Sequence, residues 1–246
     1  MTSIQKMTSS QFMGTSERKE REKERKKMLI LESAEELILE KGLDNLNMDE
    51  IAERAEVSKG SLYQYFKNKT DLVLGICNKA TDLLSGQIAE VLTKDIPGIE
   101  MVYTIGATFL NFVRAHPEFF RSMRFFDNLK DTNQLGDSDY VEMCQGNMNT
   151  SFTSMVRAIQ IGMQDGTIND SYDPKELAVL LWSTSHGLVN MAYLHQNTPH
   201  FQLLEKNNIQ MNSLFEGYMK LIGCGIATGV KDVQTDSKSF FETDPN

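Results

Sequence analysis

The sequence predicts an all-α protein of about nine helices. Apolar residues recur with helical period in almost every segment, and no sustained period-two alternation bounded by turn residues is present. Pro117 and Pro174 stand in the first turns of two predicted helices, where a missing N–H costs little. Three short or charged helices come first and a more apolar set follows them.

Capping residues place the first four helices in order. Gly42 ends a long first helix, Asn47 with Glu50 opens the second, Ser58 caps the third and Asn68 the fourth. Each is followed by apolar residues at helical spacing. The predicted spans are 17–41, 48–55, 59–66, 69–92, 99–115, 117–127, 138–164, 174–196 and 201–227.

Composition describes a soluble globular chain. The 246 residues are 40% apolar and 24% charged, and no run approaches the roughly 18 apolar residues that span a bilayer. The start, MTSIQKMTSS, is no secretory signal, so we expect a cytoplasmic protein. The three cysteines have no C-x-x-C spacing and the histidines no helical pairing, so we expect no metal site and no cofactor.

The net charge of −9 is unevenly distributed. Residues 1–75 hold 13 Lys and Arg against 14 Asp and Glu, a balance of −1, and the remaining residues carry −8. Residues 57–69 contain three lysines and no acid. An acidic average disfavours nucleic acid as a partner, but this acid-free segment keeps that possibility open.

Residues 48–66 are predicted to form two helices joined by a tight turn. This is the geometry of a helix-turn-helix, whose second helix enters the DNA major groove. Ala52 lets the two helices cross closely and Gly60 lets the backbone approach a phosphate. With Leu62 and Phe66 facing the core, we expect the other side chains to project largely outward, namely Ser61, Tyr63, Gln64 and Tyr65. An exposed Gln can pair with adenine. A helical hairpin with a solvated basic face remains the alternative.

The string MDEIAERAEVSKGSLYQYFKNKTDL resembles the amino-terminal DNA-binding domain of the tetracycline-repressor (TetR) family of bacterial regulators. The resemblance covers about residues 25–75, and the rest of the chain matches the family only in length and helix order. The matching residues are Ile51, Ala52, Ala55, Val57, Ser58, Gly60, Ser61, Leu62, Tyr63, Tyr65, Phe66, Lys69 and Leu72.

The resemblance implies a homodimer that binds a palindromic operator, most often a repressor released by a small molecule. The DNA contacts it implies are Ser58, Lys59, Gly60, Ser61, Tyr63, Gln64, Tyr65 and Lys69. The predicted organisation is a disordered tail (1–16), a DNA-binding domain (17–72), an effector and dimer domain (73–228) and a polar tail (229–246). The charged helix before Met28 is longer than the family pattern, and its interleaved glutamates favour a solvated face over a phosphate contact.

Heptad-like apolar seams on the last two long helices predict a four-helix dimer interface, with an intramolecular core as the alternative. Their main residues are Leu177, Leu181, Leu188, Met211, Leu214, Tyr218 and Leu221.

Aromatic and Met-rich helix faces predict a pocket for a small, largely apolar effector, although any one of these residues is more often core. The candidates are Phe112, Phe120, Met123, Phe152, Met155, Trp182 and His186. Two other functions stay open: a DNA-binding activator or architectural protein without an effector, and an enzyme with a vestigial helix-turn-helix. No catalytic constellation supports the enzyme, so we expect none.

Overall fold

The computed structural model describes residues 15–129 and 138–228, with side chains from residue 17. Within these ranges it holds ten helices and no strand, which confirms the all-α prediction. The predicted tails, residues 1–16 and 229–246, lie outside the described residues except for the backbone of residues 15 and 16. The helices are α1 (Thr15–Lys41), α2 (Met48–Arg54), α3 (Lys59–Tyr65), α4 (Lys69–Val91), α5 (Gly98–Ala115), α6 (Pro117–Asp127), α7 (Tyr140–Gln164), α8 (Pro174–Asn197), α9 (Leu203–Lys206) and α10 (Met211–Ile226).

The predicted last helix, 201–227, is two helices in the structure. Asn208 has a φ of 52°, in the left-handed region that Asn tolerates better than most residues, and it separates α9 from α10. The amide N–H of Ile209 donates to the Leu204 carbonyl at 2.9 Å and closes the turn. Apolar periodicity continues through this turn, which is why periodicity alone did not reveal the break.

The chain divides into two compact units, and the division falls inside α4, α5 and α7. The first unit comprises the described residues up to Ala89 and those from Asn111 to Ser151; the second comprises Glu90–Leu110 and the described residues from Phe152 on. None of the helices in the described ranges is long and apolar enough to cross a membrane.

In the first unit, α1 and α4 both contribute buried side chains, among them Ile30, Ile38 and Leu74. Glu35 of α1 and Lys79 of α4 form a largely buried ion pair at 2.8 Å. Burial raises the pKa of the Glu35 carboxyl even though Lys79 opposes that shift. This pair ties α1 to α4 at one point.

In the second unit, α5 begins against α7. The Gly98 N–H donates to the Asp165 carboxylate at 2.7 Å, and the Ile99 N–H donates to the Thr167 hydroxyl at 3.2 Å. A Cβ on Gly98 would penetrate the backbone of Gly162. Nothing but glycine fits between the two helices at this point.

The α8 and α10 helices of the second unit are joined by buried hydrogen bonds. The Tyr218 hydroxyl donates to the Leu181 carbonyl at 2.9 Å and lies 2.7 Å from the Ser185 hydroxyl. These bonds set which faces of α8 and α10 turn inward.

We predict that Gly98→Ala destabilises the protein by about 2–3 kcal/mol, because the new methyl group must displace backbone. Gly86→Ala is the matched control, since a Cβ at this exposed helical glycine meets no atom within 4 Å. The control should be neutral or more stable by up to about 1 kcal/mol. Thermal unfolding of both variants checks this, and equal melting temperatures would contradict the close contact.

Candidate nucleic-acid interface

The α2 helix starts at a side-chain cap. Asn47 accepts the Asp49 N–H at 2.9 Å with its side-chain oxygen, as the sequence predicted. Met48, Ile51 and Ala52 are buried, so this face of the helix is fixed in the first unit. The side of α2 that carries Asp49 and Glu53 stays exposed.

Residues 55–58 lead from α2 to α3. Glu56 has a φ of 52°, and the Val57 N–H donates to the Ala52 carbonyl at 2.9 Å, which stops α2 in a left-handed cap. Ser58 then opens α3, and its side-chain oxygen accepts the Ser61 N–H at 3.1 Å. Together these bonds form the helix-turn-helix that the sequence predicted.

The α3 helix buries one side and presents the other. Leu62 and the C-cap residue Phe66 are fully buried, as the sequence predicted. Ser61 and Tyr65 are half-buried, whereas the sequence predicted that they project largely outward. The exposed positions are Ser58, Lys59, Gly60, Tyr63 and Gln64.

Phe66 is held in a slot between α4 and the start of α7. A Cβ on Gly75 would lie 2.8 Å from the Phe66 ring, and the Tyr140 ring stacks on it with a centroid distance of 6.1 Å. The Lys27 ammonium lies 5.2 Å from the Tyr140 ring centroid. Burial raises the pKa of the Tyr140 hydroxyl, although its hydrogen bond with Lys27 opposes the shift.

The buried carboxylate of Asp71 ties the α3–α4 junction to the start of α7. It accepts the Lys67 N–H at 2.9 Å and the Ser138 hydroxyl at 2.6 Å. Neither Tyr140 nor Ser138 was a sequence-based candidate. They lie some seventy residues from their partners, so no local pattern could connect them.

Two of the predicted DNA-contacting lysines already have partners. The Lys59 ammonium lies 2.7 Å from the Asp49 carboxylate, and both side chains are more than half exposed. The Lys69 ammonium donates to the Asp44 carbonyl at 3.0 Å, which ties α4 to the loop after α1. Exposed pairs of this kind are weak, so a phosphate can replace Asp49 at small cost.

The predicted dimer residues differ in their exposure. Leu177, Leu181 and Tyr218 are buried within the second unit, whereas Leu221 is 74% exposed. The remaining three, Leu188, Met211 and Leu214, are half-buried.

The predicted pocket residues divide between the units. Phe112, Phe120 and Met123 belong to the first unit, and Phe152, Met155, Trp182 and His186 to the second. In the second unit three of them form a row of rings together with Phe109. The centroid distances are 4.7 Å from Phe109 to His186, 5.3 Å from His186 to Trp182 and 6.2 Å from Trp182 to Phe152.

The architecture and the interface define a helix-turn-helix protein. Residues 30–76 match the family model described as bacterial regulatory proteins, tetR family. The matched segment contains α2 and α3, so this part of the chain resembles the DNA-binding domain of the TetR family. The family resemblance seen in the sequence is therefore confirmed.

Among similar proteins, the uncharacterized HTH-type transcriptional regulator YdeS of Bacillus subtilis is 45% identical over 56 residues, 22% of this chain and 28% of its own length. The HTH-type transcriptional activator FasR of Mycolicibacterium smegmatis is 30% identical over 98 residues, 40% of this chain and 44% of its own. The chain thus spans less than half the length of these curated relatives. Both are named regulators, which agrees with the expectation that the protein is not an enzyme.

A solved structure of the transcriptional regulator FadR from Bacillus subtilis, in complex with stearoyl-CoA, has the same fold. The TM-score is 0.61 at 15% sequence identity, over 83% of this chain and 99% of that one. At this level of sequence identity, the similarity is evidence for a shared fold alone.

We predict that Gly60→Ala weakens DNA binding at least tenfold without loss of stability. A Cβ at this exposed glycine meets no atom within 4 Å in the protein, so only an approaching phosphate backbone would require its absence. Fluorescence anisotropy with a DNA duplex and a thermal melt together check this. Unchanged affinity would show that nothing approaches Gly60.

Proposed function

We propose that the protein is a ligand-responsive transcriptional repressor that binds a palindromic operator as a homodimer. The observation that carries the proposal is the acid-free exposed side of α3, which presents a hydroxyl, an ammonium, a bare backbone position, a phenol and an amide. Phosphate contacts position a helix on DNA, and base-edge contacts give it specificity. The tetR family-model match over residues 30–76 and the names of the relatives support this function.

Each exposed α3 residue has a role that fits its chemistry. Lys59 and Gly60, with Ser58 beside them, lie in the first turn, where the helix dipole favours phosphate. Tyr63 donates to phosphate while its ring packs on sugar or a thymine methyl group. Gln64 reads adenine by two hydrogen bonds.

The function is tested by selecting duplexes from a random pool with the full-length protein and measuring affinity for the selected operator. Gln64→Ala should relax preference at one base pair of each half-site by about 1–3 kcal/mol. Gln87→Ala, an exposed glutamine of α4, is the control and should leave the preference intact. A wild-type protein that enriches no sequence would contradict the function.

The proposed dimer uses the outward faces of α8 and α10. Val179, Leu180 and Leu221 are 52%, 61% and 74% exposed, and residues 177–204 contain no charged side chain. A Cβ at Gly187 or Gly217 meets no atom within 4 Å, so nothing within the described chain requires these helix-weakening glycines. Close approach of a second copy would account for them.

This interface is displaced from the predicted seams. Leu177, Leu181 and Tyr218 have the right spacing for a dimer seam, but they fill the core between α8 and α10. In the proposed interface the exposed Val179 and Leu180 of α8 replace the buried residues, and Leu221 of α10 is retained from the predicted set.

We predict that Leu221→Glu converts the dimer to a monomer and lowers operator affinity at least a hundredfold, because it places a carboxylate in an apolar interface. Leu83→Glu is the control, since Leu83 is 44% exposed on α4. Sedimentation velocity gives the oligomeric state. If Leu221→Glu and Leu83→Glu had the same mass in solution, the face that carries Leu221 would not be the dimer interface.

The proposed effector is small and largely apolar or aromatic, and its contacts include the row of rings in the second unit. FadR of Bacillus subtilis was crystallised with stearoyl-CoA, a ligand with a long apolar chain. For this chain we infer only the apolar character of the ligand. The relative FasR is named an activator, so an operator that is bound to activate transcription is the second candidate.

Trp182 is the one tryptophan of the chain and lies in this row of rings, so its fluorescence emission is sensitive to a ligand bound there. We predict that a bound acyl-CoA probe changes the Trp182 emission and lowers operator affinity over the same concentration range. Fluorescence titration with probes of 4 to 18 acyl carbons checks this. If the emission changes while operator affinity stays constant, ligand and DNA are not coupled.

A further inference from the structure

We propose that Cys77 of α4 and Cys144 of α7 form a reversible disulfide when the protein meets hydrogen peroxide, and that this bond lowers its affinity for operator DNA. The two residues are called the cysteine pair below. The disulfide site is defined by contacts inside the first unit, whereas its effect on DNA rests on the proposed function. No motif in the sequence connects the two cysteines, because they are 67 positions apart.

The cysteine pair lies where α4 and α7 run side by side in the same direction. Hydrogen bonds between the two segments advance together along both, and each joins residues 66 to 70 positions apart. They are Ser138 to Asp71 at 2.6 Å, Cys144 to the Leu74 carbonyl at 3.8 Å and Asn147 to Thr81 at 3.2 Å. The cysteine pair has the same separation and lies in the middle of this series.

The two thiols are in contact and shielded from water. Neither residue has any exposed surface, and the Cys77 thiol is hydrogen-bonded to the sulfur of Cys144. A disulfide places its two sulfurs about 2.05 Å apart. Two sulfurs in hydrogen-bond contact reach that distance by a small shift of the helices, without rearrangement of the backbone.

The two thiols differ in acidity. Their mutual hydrogen bond and burial raise the pKa of Cys77. The same bond lowers the pKa of Cys144 with the help of the Thr81 hydroxyl, although burial opposes that shift. The thiolate is the nucleophilic form of cysteine, so Cys144 reacts first.

Peroxide reaches Cys144 through α7. Its neighbours in the chain, Met143 and Gln145, are exposed, so α7 is a surface helix at this point. Gly146 weakens the helix here, and a Cβ at this residue would meet no atom within 4 Å. Local opening of this turn admits a small oxidant.

The reaction consumes one hydrogen peroxide for two thiols. The Cys144 thiolate attacks a peroxide oxygen, the O–O bond breaks, and the products are a sulfenic acid and hydroxide. This hydroxide takes up the proton that the Cys144 thiol released. The Cys77 sulfur then attacks the Cys144 sulfur, the S–O bond breaks, and the leaving hydroxide takes the Cys77 proton. The two thiols are oxidised to a disulfide, and the peroxide is reduced to two waters.

The disulfide would form beside the slot that holds Phe66. Gly75 lies two residues before Cys77, and Tyr140 lies four residues before Cys144; both Gly75 and Tyr140 line this slot. The slot has no spare room, since a Cβ on Gly75 would lie 2.8 Å from the Phe66 ring. Drawing α4 and α7 together would therefore displace Phe66 and, with it, the exposed side of α3.

The test uses the full chain with Cys224→Ser, so that the cysteine pair supplies its only two thiols. After peroxide treatment, free thiols are blocked with a maleimide in denaturant and counted by mass spectrometry. We expect no blocked thiol and a peptide crosslinked through residues 77 and 144. Affinity for an operator selected from a random pool should fall about tenfold, within the usual range of coupling between sites. Dithiothreitol should restore both thiols and the affinity.

Two further variants in the same background separate the roles of the thiols. In Cys77→Ala, peroxide should leave a sulfenic acid at Cys144 that dimedone captures. In Cys144→Ala, the Cys77 thiol should stay reduced. Neither variant can form the disulfide, so both should lack the crosslinked peptide, and thermal melts verify that they fold.

Two results would overturn the inference: two free thiols in the folded chain after peroxide treatment, or a complete disulfide that leaves operator affinity unchanged. Failure of the proposed function gives a different result. If the untreated chain enriches no operator, that function and the effect on DNA both fail, while the thiol count still decides whether the disulfide forms.

Discussion

The orientation of α3, the helix proposed to read DNA, depends on the burial of Phe66. This residue ends α3, has no exposed surface, and occupies a slot that exists because Gly75 has no side chain. The Ser58 cap fixes the other end of α3. With both ends fixed, α3 cannot rotate about its axis, so the side that carries Tyr63 and Gln64 remains the exposed one. The proposed reading of DNA bases depends on this constraint.

Charge is organised around that helix. A net charge of −9 disfavours nucleic acid as a partner, but residues 57–69 contain no acid and the chain through residue 75 is nearly neutral. The Asp49 carboxylate holds Lys59 in place without burying it. An exposed ion pair is weak enough to be exchanged for phosphate, so the cation is positioned in the free protein and available on DNA. The acidic remainder of the chain takes no part in this proposed contact.

Most helices and their caps could be predicted from the sequence, since Gly42, Asn47 and Ser58 act through neighbouring residues. The break at Asn208 could not, because apolar spacing continues across it. The faces of α8 and α10 show a different limit: a seam at helical spacing fits a core and a dimer interface equally well. Only the bonds of Tyr218 to α8 decide that its seam points inward. The support of Phe66 by Tyr140 joins distant segments and leaves no periodic signal.

The central claim is that α3 enters the major groove of an operator. Cys224 is exposed while Cys77 and Cys144 are buried, so Cys224→Ser leaves no exposed cysteine among the described residues. In that background a DNA-cleaving iron chelate is attached to Gln64→Cys or, as a control, to Gln87→Cys on α4. We predict cleavage from position 64 in two clusters, related by the operator's symmetry and centred on the major groove, with none from position 87. Absence of cleavage from position 64 on a bound operator would contradict the claim.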